Sequence, residues 1–515
     1  MRAARTWLGW LALLALWELA GRLDLVAGGA LPAPSEIAAR FWLDRADYPA
    51  HVAATVQAAA LGFLAGSVLA VAAALLFVRW PLTERIARGV NVALFALPPI
   101  AIAPVLVIAL AGMAPRVTLA AMSVYFPVMT ASVLGLSQID PRLPDVIRAW
   151  GGGPGAVMRL VRLRSSLPTL LAGLRVAAPA AVLGAILAEF GGGGRWGLGV
   201  YLLGSLGRAD PARLWGIGLT ATAIAGIAYA IFAALGTRLA GATRAVTLAA
   251  VPLPEPPVRS RAVGLAVGLA AVALPFLLWW LVLKLLGTSP IVARTPWGVV
   301  EYLFLAPAAA QAQQQVLAAL AQTLPITLAG MAAGLAFALL LAITGLVLPA
   351  LGRALLPIAL VTQTMPLVAL TPLLVLLLGR GTAVIVAITV SVTFFPAYVT
   401  LAQGLALVPR AAFDLVRAYG ASWWRELTLV ALPSAMPYLI TAAKLAAPRA
   451  LLGVMIAQWL ATGTGLGNLL NQARGYLDYG MVWTVAAVSV LVSVLFYQLV
   501  TLAERRLLRR YGAAR

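Results

Sequence analysis

Two short stretches place charged side chains at helical spacing inside a chain that is otherwise apolar. Asp145, Arg148 and Gly151 stand in DVIRAWGGGPGAVMRLVRLR (145–164), and Asp414, Arg417 and Gly420 stand in DLVRAYGASWWRELTLVALP (414–433). On a helix, an acid and an arginine three residues apart are neighbours and can pair. A glycine three residues further suits a helix end, because it accepts φ > 0. Val, Ile, Trp and Leu lie beside these charges, so each stretch reads as a short amphipathic helix whose apolar side seeks a protein groove; a helix lying on a lipid surface is the alternative. The chemistry on offer is docking.

Other chemistries are excluded residue by residue. Cysteine is absent, which removes disulfides, thiolate catalysis and cysteine metal sites. His51 is the sole histidine, so no multi-histidine metal site or hydrolase triad can be built, and it reads as an interfacial residue near the outer end of a span. The phosphate-binding loop needs Gly-x4-Gly-Lys-Ser/Thr, yet Lys284 and Lys444 are each followed by leucine. Gly192-x-Gly194-x2-Gly197 fits the dinucleotide fingerprint, but no strand precedes it, and it reads as an outward-facing loop. No cofactor is expected in this chain.

The elements that must position the two stretches are membrane helices. Of the 515 residues 63% are hydrophobic and 10% charged, and mean hydropathy is +0.98. Apolar segments are expected at about 7–24, 52–78, 90–112, 115–137, 170–190, 212–238, 262–286, 321–348, 353–378, 382–407, 437–461 and 481–502. Each approaches the ~20 residues needed to cross a hydrocarbon core. The start, MRAARTWLGWLALLALWELAG, resembles a signal peptide, but no small-x-small site closes it before Trp17-Glu18, so it reads as a retained first span. With the N-terminus inside, most of the basic residues behind the +21 net charge fall in loops on the cytoplasmic side, which predicts both termini there. The charge is thereby a topology signal, and nucleic acid is not an expected partner.

The chain repeats itself at an offset of 268 or 269 residues. Thr55-x6-Gly62-x3-Gly66 returns as Thr323-x6-Gly330-x3-Gly334, Pro98 and Pro104 as Pro366 and Pro372, Gly197-Leu-Gly199 as Gly465-Leu-Gly467, and Trp215 as Trp483. Six spans per copy make the repeat parallel, which implies a pseudo-two-fold axis along the membrane normal with a pathway between the halves. The proline-rich VPLPEPPVRSR marks the seam. Domains are therefore expected at 1–248 and 262–515, joined by a cytoplasmic linker at 249–261.

The repeated stretches resemble the EAA-x3-G-x9-I-x-L-P segment of permease subunits of binding-protein-dependent ABC importers. Asp414, Gly420, Val430, Leu432 and Pro433 keep that spacing; Asp145, Gly151, Val161 and Leu163 keep it in the first copy, with Arg164 in place of the proline and bulkier residues after both acids. WELAGRLDLVAGGALPAPSEIAARF (17–41), GLRVA (173–177) and AEFGGGGRWGLG (188–199) are similar to the nitrate/sulfonate/taurine branch. The resemblance implies an all-α fold of about 12 transmembrane helices in two six-helix repeats of the type I importer kind, in a bacterial inner membrane. It implies two ABC ATPase subunits, holding ATP and magnesium, docked at Asp145, Arg148, Gly151, Val161, Leu163, Asp414, Arg417, Gly420, Val430, Leu432 and Pro433. It further implies an external solute-binding protein delivering a small solute, of the nitrate, sulfonate or taurine kind or a vitamin precursor. A secondary transporter of major-facilitator plan shares the two-half layout, and would need a coupling acid that the spans scarcely offer.

Polar and helix-breaking groups inside the spans are costly, and so are pathway candidates. Glu189 and its counterpart Gln458 are read as orienting an outer gate, lining the path, or hydrogen-bonding helices together. Pro98, Pro104, Pro366 and Pro372 interrupt the third spans, either bordering a watery path or kinking the helices. Glu18, Lys284 and Arg449 have no assigned role; Arg449 either pairs with an acid or attracts an anion.

Overall fold

The computed structural model describes residues 2–25, 29–140, 142–192, 194–208, 210–240, 260–348 and 367–510, and every regular element among them is helical. In hydrocarbon each backbone amide must find its partner within its own segment, so an apolar chain of this composition has little choice but helix. Nine described helices are long and apolar enough to span, and the pair Pro81–Ala96 and Pro99–Ala109 adds a tenth if counted together. The other two expected spans are the helix Arg2–Arg22 and the 353–378 stretch. Of the latter, Leu367–Leu378 is helical, and the remainder, with Pro366, lies outside the described residues, as does nearly all of the 249–261 linker.

The third span of the first half departs from the continuous helix expected at 90–112. Its two helices meet at 102°. Leu97 sits in extended backbone (φ −65°, ψ 120°), as a residue before proline prefers, and Pro98 follows it at φ −74°, ψ 113° with no amide hydrogen to continue the ladder. Pro104 rides inside the second helix, Pro99–Ala109, and makes no comparable break.

The fifth spans are the axles of the two halves. In the runs Pro154–Phe190 and Trp423–Thr462, 56% and 61% of the most apolar window is buried, against none for Ala262–Leu285. Leu163–Phe190 packs on Ala114–Ser137, Tyr48–Arg79 and Pro211–Ala240; Leu432–Ala457 packs on Thr382–Ala406, Ala309–Val347 and Tyr479–Arg510. The repeated glycines bring Tyr48–Arg79 close against Ala114–Ser137. Gly62 lies against Ala120 and the Val117 carbonyl, and Gly66 against the Ala121 carbonyl, where a larger side chain would push the helices apart.

The halves interlock reciprocally. Pro211–Ala240 of the first meets Leu367–Leu378 of the second, and Tyr479–Arg510 of the second meets Pro99–Ala109 of the first. Arg261–Leu285 crosses over to lie along Pro81–Ala96 of the opposite half and leaves most of its other apolar side chains exposed. Glu18, which the sequence left without a role, caps a second short helix. Its carboxylate accepts from the Ser35 amide (3.0 Å) and hydroxyl (2.5 Å) at the start of Pro34–Leu43, where a helix favours negative charge.

Candidate functional site

Each axle begins at an exposed handle. The first is the helix Arg142–Ala149, in which Arg148 Nη1 reaches Asp145 Oδ1 at 2.8 Å; the second is Arg410–Ala418. Both end alike. Gly151 and Gly152 donate to the carbonyls of Arg148 and Ile147, and Gly420 and Ala421 donate to those of Arg417 and Val416. The closing glycines have φ of +78° and +76°. A Cβ on either would meet nothing within 4 Å, so it is the left-handed backbone, not crowding, that requires glycine.

Beyond the glycines the backbone re-enters the bundle through a wide turn. Met158–Arg162 and Leu427–Ala431 are both π-helical, at matched positions, and each runs directly into its axle. The sequence grouped Val161 and Val430 with the docking residues, but the structure buries them in these elbows at 7% and 8% exposure. Leu163 is exposed, whereas Leu432 and Pro433 are partly buried at the axle's first turn. The exposed apolar surface lies instead on the handles. Trp150 and Tyr419, which match across the repeat, are 87% and 84% exposed, with Val146 and Leu415 one turn before them. The spacing of the charges did not point to the aromatics; their matched positions after each helix were the available signal.

Each axle ends at a polar latch. Glu189 is 1% exposed; its Oε1 accepts from Thr55 Oγ1 at 2.8 Å and its Oε2 from the Gly199 amide at 2.7 Å, while the Leu198 amide donates to Thr55 Oγ1 at 2.8 Å. Gln458 repeats the arrangement. Its Oε1 accepts from Thr323 Oγ1 at 3.1 Å and the Gly467 amide at 3.3 Å, and the Leu466 amide donates to Thr323 Oγ1 at 2.9 Å. Each latch thus ties the end of the axle to the second span and to the Gly-Leu-Gly loop. Thr55 and Thr323 were visible in the sequence only as repeat identities. Arg116, which stands 4.0 Å from Glu189 and donates to the Trp196 carbonyl at 2.7 Å, had no repeat partner to mark it.

His51 belongs to the same knot. Its Nδ1 lies 3.1 Å from the Gly197 amide and 2.8 Å from the Gly197 carbonyl, and its ring stacks on Tyr201. One contact joins the halves here: Arg474 Nη1 donates to the Phe190 carbonyl at 3.0 Å, next to Glu189. Of the pathway candidates, Pro98 makes the bend in the third span and Pro104 is buried beyond it. Pro372 lies in Leu367–Leu378, and Pro366 lies outside the described residues.

Near the latches a collar of ion pairs holds Pro34–Leu43 to the sixth span. Buried Arg213 grips Asp44 through Nε (2.7 Å) and Nη2 (2.6 Å), and Arg40 bridges to Asp210 at 3.1 Å. Burial pushes the Asp44 carboxyl upward, but its hydrogen bonds and attraction to Arg213 prevail and hold it below the usual carboxylate range. Trp215 and Trp483 donate to the Ala30 and Val292 carbonyls, the same stitch in both halves. Among the described residues no cluster of three His, Cys, Asp or Glu side chains is placed to hold a metal.

Two like bundles, each built around a buried axle with an exposed handle at one end and a latch at the other, make a duplicated multi-pass membrane protein. The chain belongs to the family described as binding-protein-dependent transport system inner membrane component, which matches it twice, over residues 62–244 and 334–509. It is 31% identical to the riboflavin transport system permease protein of Chloroflexus aurantiacus over 159 residues, 31% of this chain and 59% of that protein. With a formylaminopyrimidine transport permease protein of Halalkalibacterium halodurans it shares 31% identity over 189 residues, covering 36% of this chain and 76% of the relative. The taurine transport system permease protein of Escherichia coli matches at 26% over 254 residues, 49% of this chain and 92% of the relative. The chain thus spans about three-fifths of the first of these relatives and more of the other two. No solved structure matches.

Proposed function

We propose that this chain carries two fused permease domains of a bacterial ABC importer, joined at 249–261, with 1–248 and 262–515 each forming one half of the pathway. Both termini and both handles face the cytoplasm of an inner-membrane protein. Two ABC ATPase subunits, which carry the ATP and magnesium, grip the handles, and an external solute-binding protein delivers a small solute to the latch side. The observation that carries this reading is the matched pair of handles. Each presents a nearly fully exposed aromatic, Trp150 or Tyr419, on a helix with no described cover and a buried elbow behind it. Aromatics left in water at the tip of a rigid element are what a partner's pocket takes up.

Closure of the ATPases on ATP pulls both handles together. The elbows pass that displacement to the axles, and the latches restrain the far ends until the halves exchange access from outside to inside, a shift in population between two arrangements. ATP supplies the work, so the chain itself hydrolyses nothing. The solutes named for the relatives, riboflavin, a formylaminopyrimidine and taurine, set the size range of the cargo. Solute uptake into proteoliposomes holding the chain with its ATPase and binding protein tests the reading. Uptake should stop when ATP is withdrawn; uptake that continues on an ion gradient alone contradicts it.

A further inference from the structure

The two halves tie the fifth span to the sixth in different ways. In the second half, Lys444 Nζ on Leu432–Ala457 pairs with Glu504 Oε2 on Tyr479–Arg510 at 2.6 Å, and Thr441 Oγ1 donates to Glu504 Oε1 at 3.1 Å. The ammonium also stands 6.0 Å from the centre of the Tyr497 ring. The first half keeps the cation and the aromatic at the matching positions. Arg175 on Leu163–Phe190 holds its Cζ 4.2 Å over Tyr229 of Pro211–Ala240, at the repeat offsets of 269 and 268 residues. The acid is gone: the position of Glu504 falls on Gly236, and that of Thr441 on Ala172.

Losing one partner of such a pair leaves the other with an unmet charge. Arg175 Nε is buried without a hydrogen-bond partner, and among the described residues no carboxylate pairs with the guanidinium. The space that the carboxylate fills in the second half is open in the first, since a Cβ on Gly236 would meet nothing within 4 Å. Leu235, Thr237, Arg238 and Leu239 around that glycine are exposed, and only 22% of the most apolar window of their helix is buried, so the notch lies on the outside of the bundle. Its level is the edge of the membrane. Arg505 and Arg506 follow Glu504 directly, and Arg238, the match of Arg506, follows Gly236 by two. At that depth the anion that the surroundings supply is a lipid headgroup, toward which a long cationic side chain extends.

We propose that the notch between Arg175 and Gly236 binds the headgroup of an anionic phospholipid, whose phosphate takes the place that Glu504 holds in the second half. This does not rest on the permease reading; it needs only the duplicated membrane fold. The guanidinium fork suits two phosphate oxygens while Tyr229 covers its face. The lipid then ties the fifth span of the first half to its sixth, as the ion pair does within the second half. A zwitterionic lipid serves less well, because its own cation offsets the phosphate.

The test reads lipid retention by native mass spectrometry of the full chain, titrated with phosphatidylglycerol or phosphatidylcholine in a neutral detergent. The wild type should retain phosphatidylglycerol in preference to phosphatidylcholine, and soluble glycerol phosphate should not displace it. Gly236→Glu restores the internal carboxylate and should weaken phosphatidylglycerol binding by roughly fivefold or more, whereas Thr237→Glu, the same charge one position on, should weaken it far less. Arg175→Gln should weaken it as Gly236→Glu does. In phosphatidylcholine nanodiscs Gly236→Glu should unfold at a higher temperature than the wild type, and added phosphatidylglycerol should close that gap. Equal retention of the two lipids by the wild type, displacement by glycerol phosphate, or phosphatidylglycerol titrations of Gly236→Glu and Arg175→Gln that match the wild type overturn the proposal.

Discussion

The two handles share a backbone and differ in how they are tethered. In the second, Arg417 reaches across the loop to Glu426 with two bonds, Nε–Oε1 at 2.7 Å and Nη2–Oε2 at 2.9 Å, so the short helix is braced against the base of its axle. In the first, Arg148 finds among the described residues only Asp145, within its own helix, and Gly151, Gly152 and Gly153 follow, with Val157 at the position that Glu426 occupies. Duplication has therefore kept the backbone of the handle, namely a short helix, a left-handed glycine and a π-turn. The stiffness of the link has diverged. A braced handle passes its displacement to the axle, whereas a hinged one first takes up slack.

This contrast is open to direct attack. The largest effect is expected from Gly420→Pro: proline cannot adopt φ near +76°, so the helix end and the brace behind it are lost together, and capture of the ATPase in pull-downs should fall to background while the protein still inserts. Tyr419→Ala and Trp150→Ala remove one exposed anchor each, and each should weaken ATPase affinity by ~30-fold, about 2 kcal/mol, in a binding titration. Equal losses at the two would show that docking is symmetric even though tethering is not. Glu426→Gln should reduce coupling without comparable loss of docking, seen as transported solute per ATP falling while ATPase affinity changes only a few-fold. Arg148→Gln, on the hinged side, should leave that ratio near its original value.

The latches give a milder version of the same comparison. Glu189→Gln converts the first latch to the chemistry of the second and should be tolerated in thermal unfolding. Glu189→Leu strands the Gly199 amide and Thr55 hydroxyl and should cost ~1–3 kcal/mol for each group left unsatisfied. The smallest effect concerns the collar. Asp44 has a carboxyl pKa below its unfolded value, so its contribution to stability is present above the usual carboxylate range and is lost as pH falls through the depressed pKa. Unfolding temperature should drop with acidification in that window, and Asp44→Asn should flatten the drop while lowering stability at neutral pH.

The handles were legible because their signal is local: charge in an apolar chain, glycine at fixed spacing, and the same pattern twice. The spans were legible for a similar reason, since hydropathy alone sets them. What the sequence concealed depends on distant segments. Glu189 and Thr55 stand 134 residues apart, and nothing in either neighbourhood names the other. Arg474 meets Phe190 from the opposite half of the chain. Val161 and Val430 kept the motif's spacing, yet spacing cannot tell a residue that faces a partner from one that packs the elbow behind it. Proline at 98 announced a disturbance, but the 102° bend needed the neighbouring Pro99 and the extended Leu97 to convert a kink into a corner.

The central claim is that both handles move together when the partner ATPases close. The chain has no cysteine, so spin labels can be placed at Val146→Cys and Leu415→Cys without background, and the distance between them followed in nanodiscs with the ATPase bound. The account predicts one longer distance without nucleotide and a shorter one with non-hydrolysed ATP, with the first handle's distribution broader than the second's in single-handle controls. A distance that does not respond to nucleotide, or labels reachable from opposite faces of the bilayer, would contradict it.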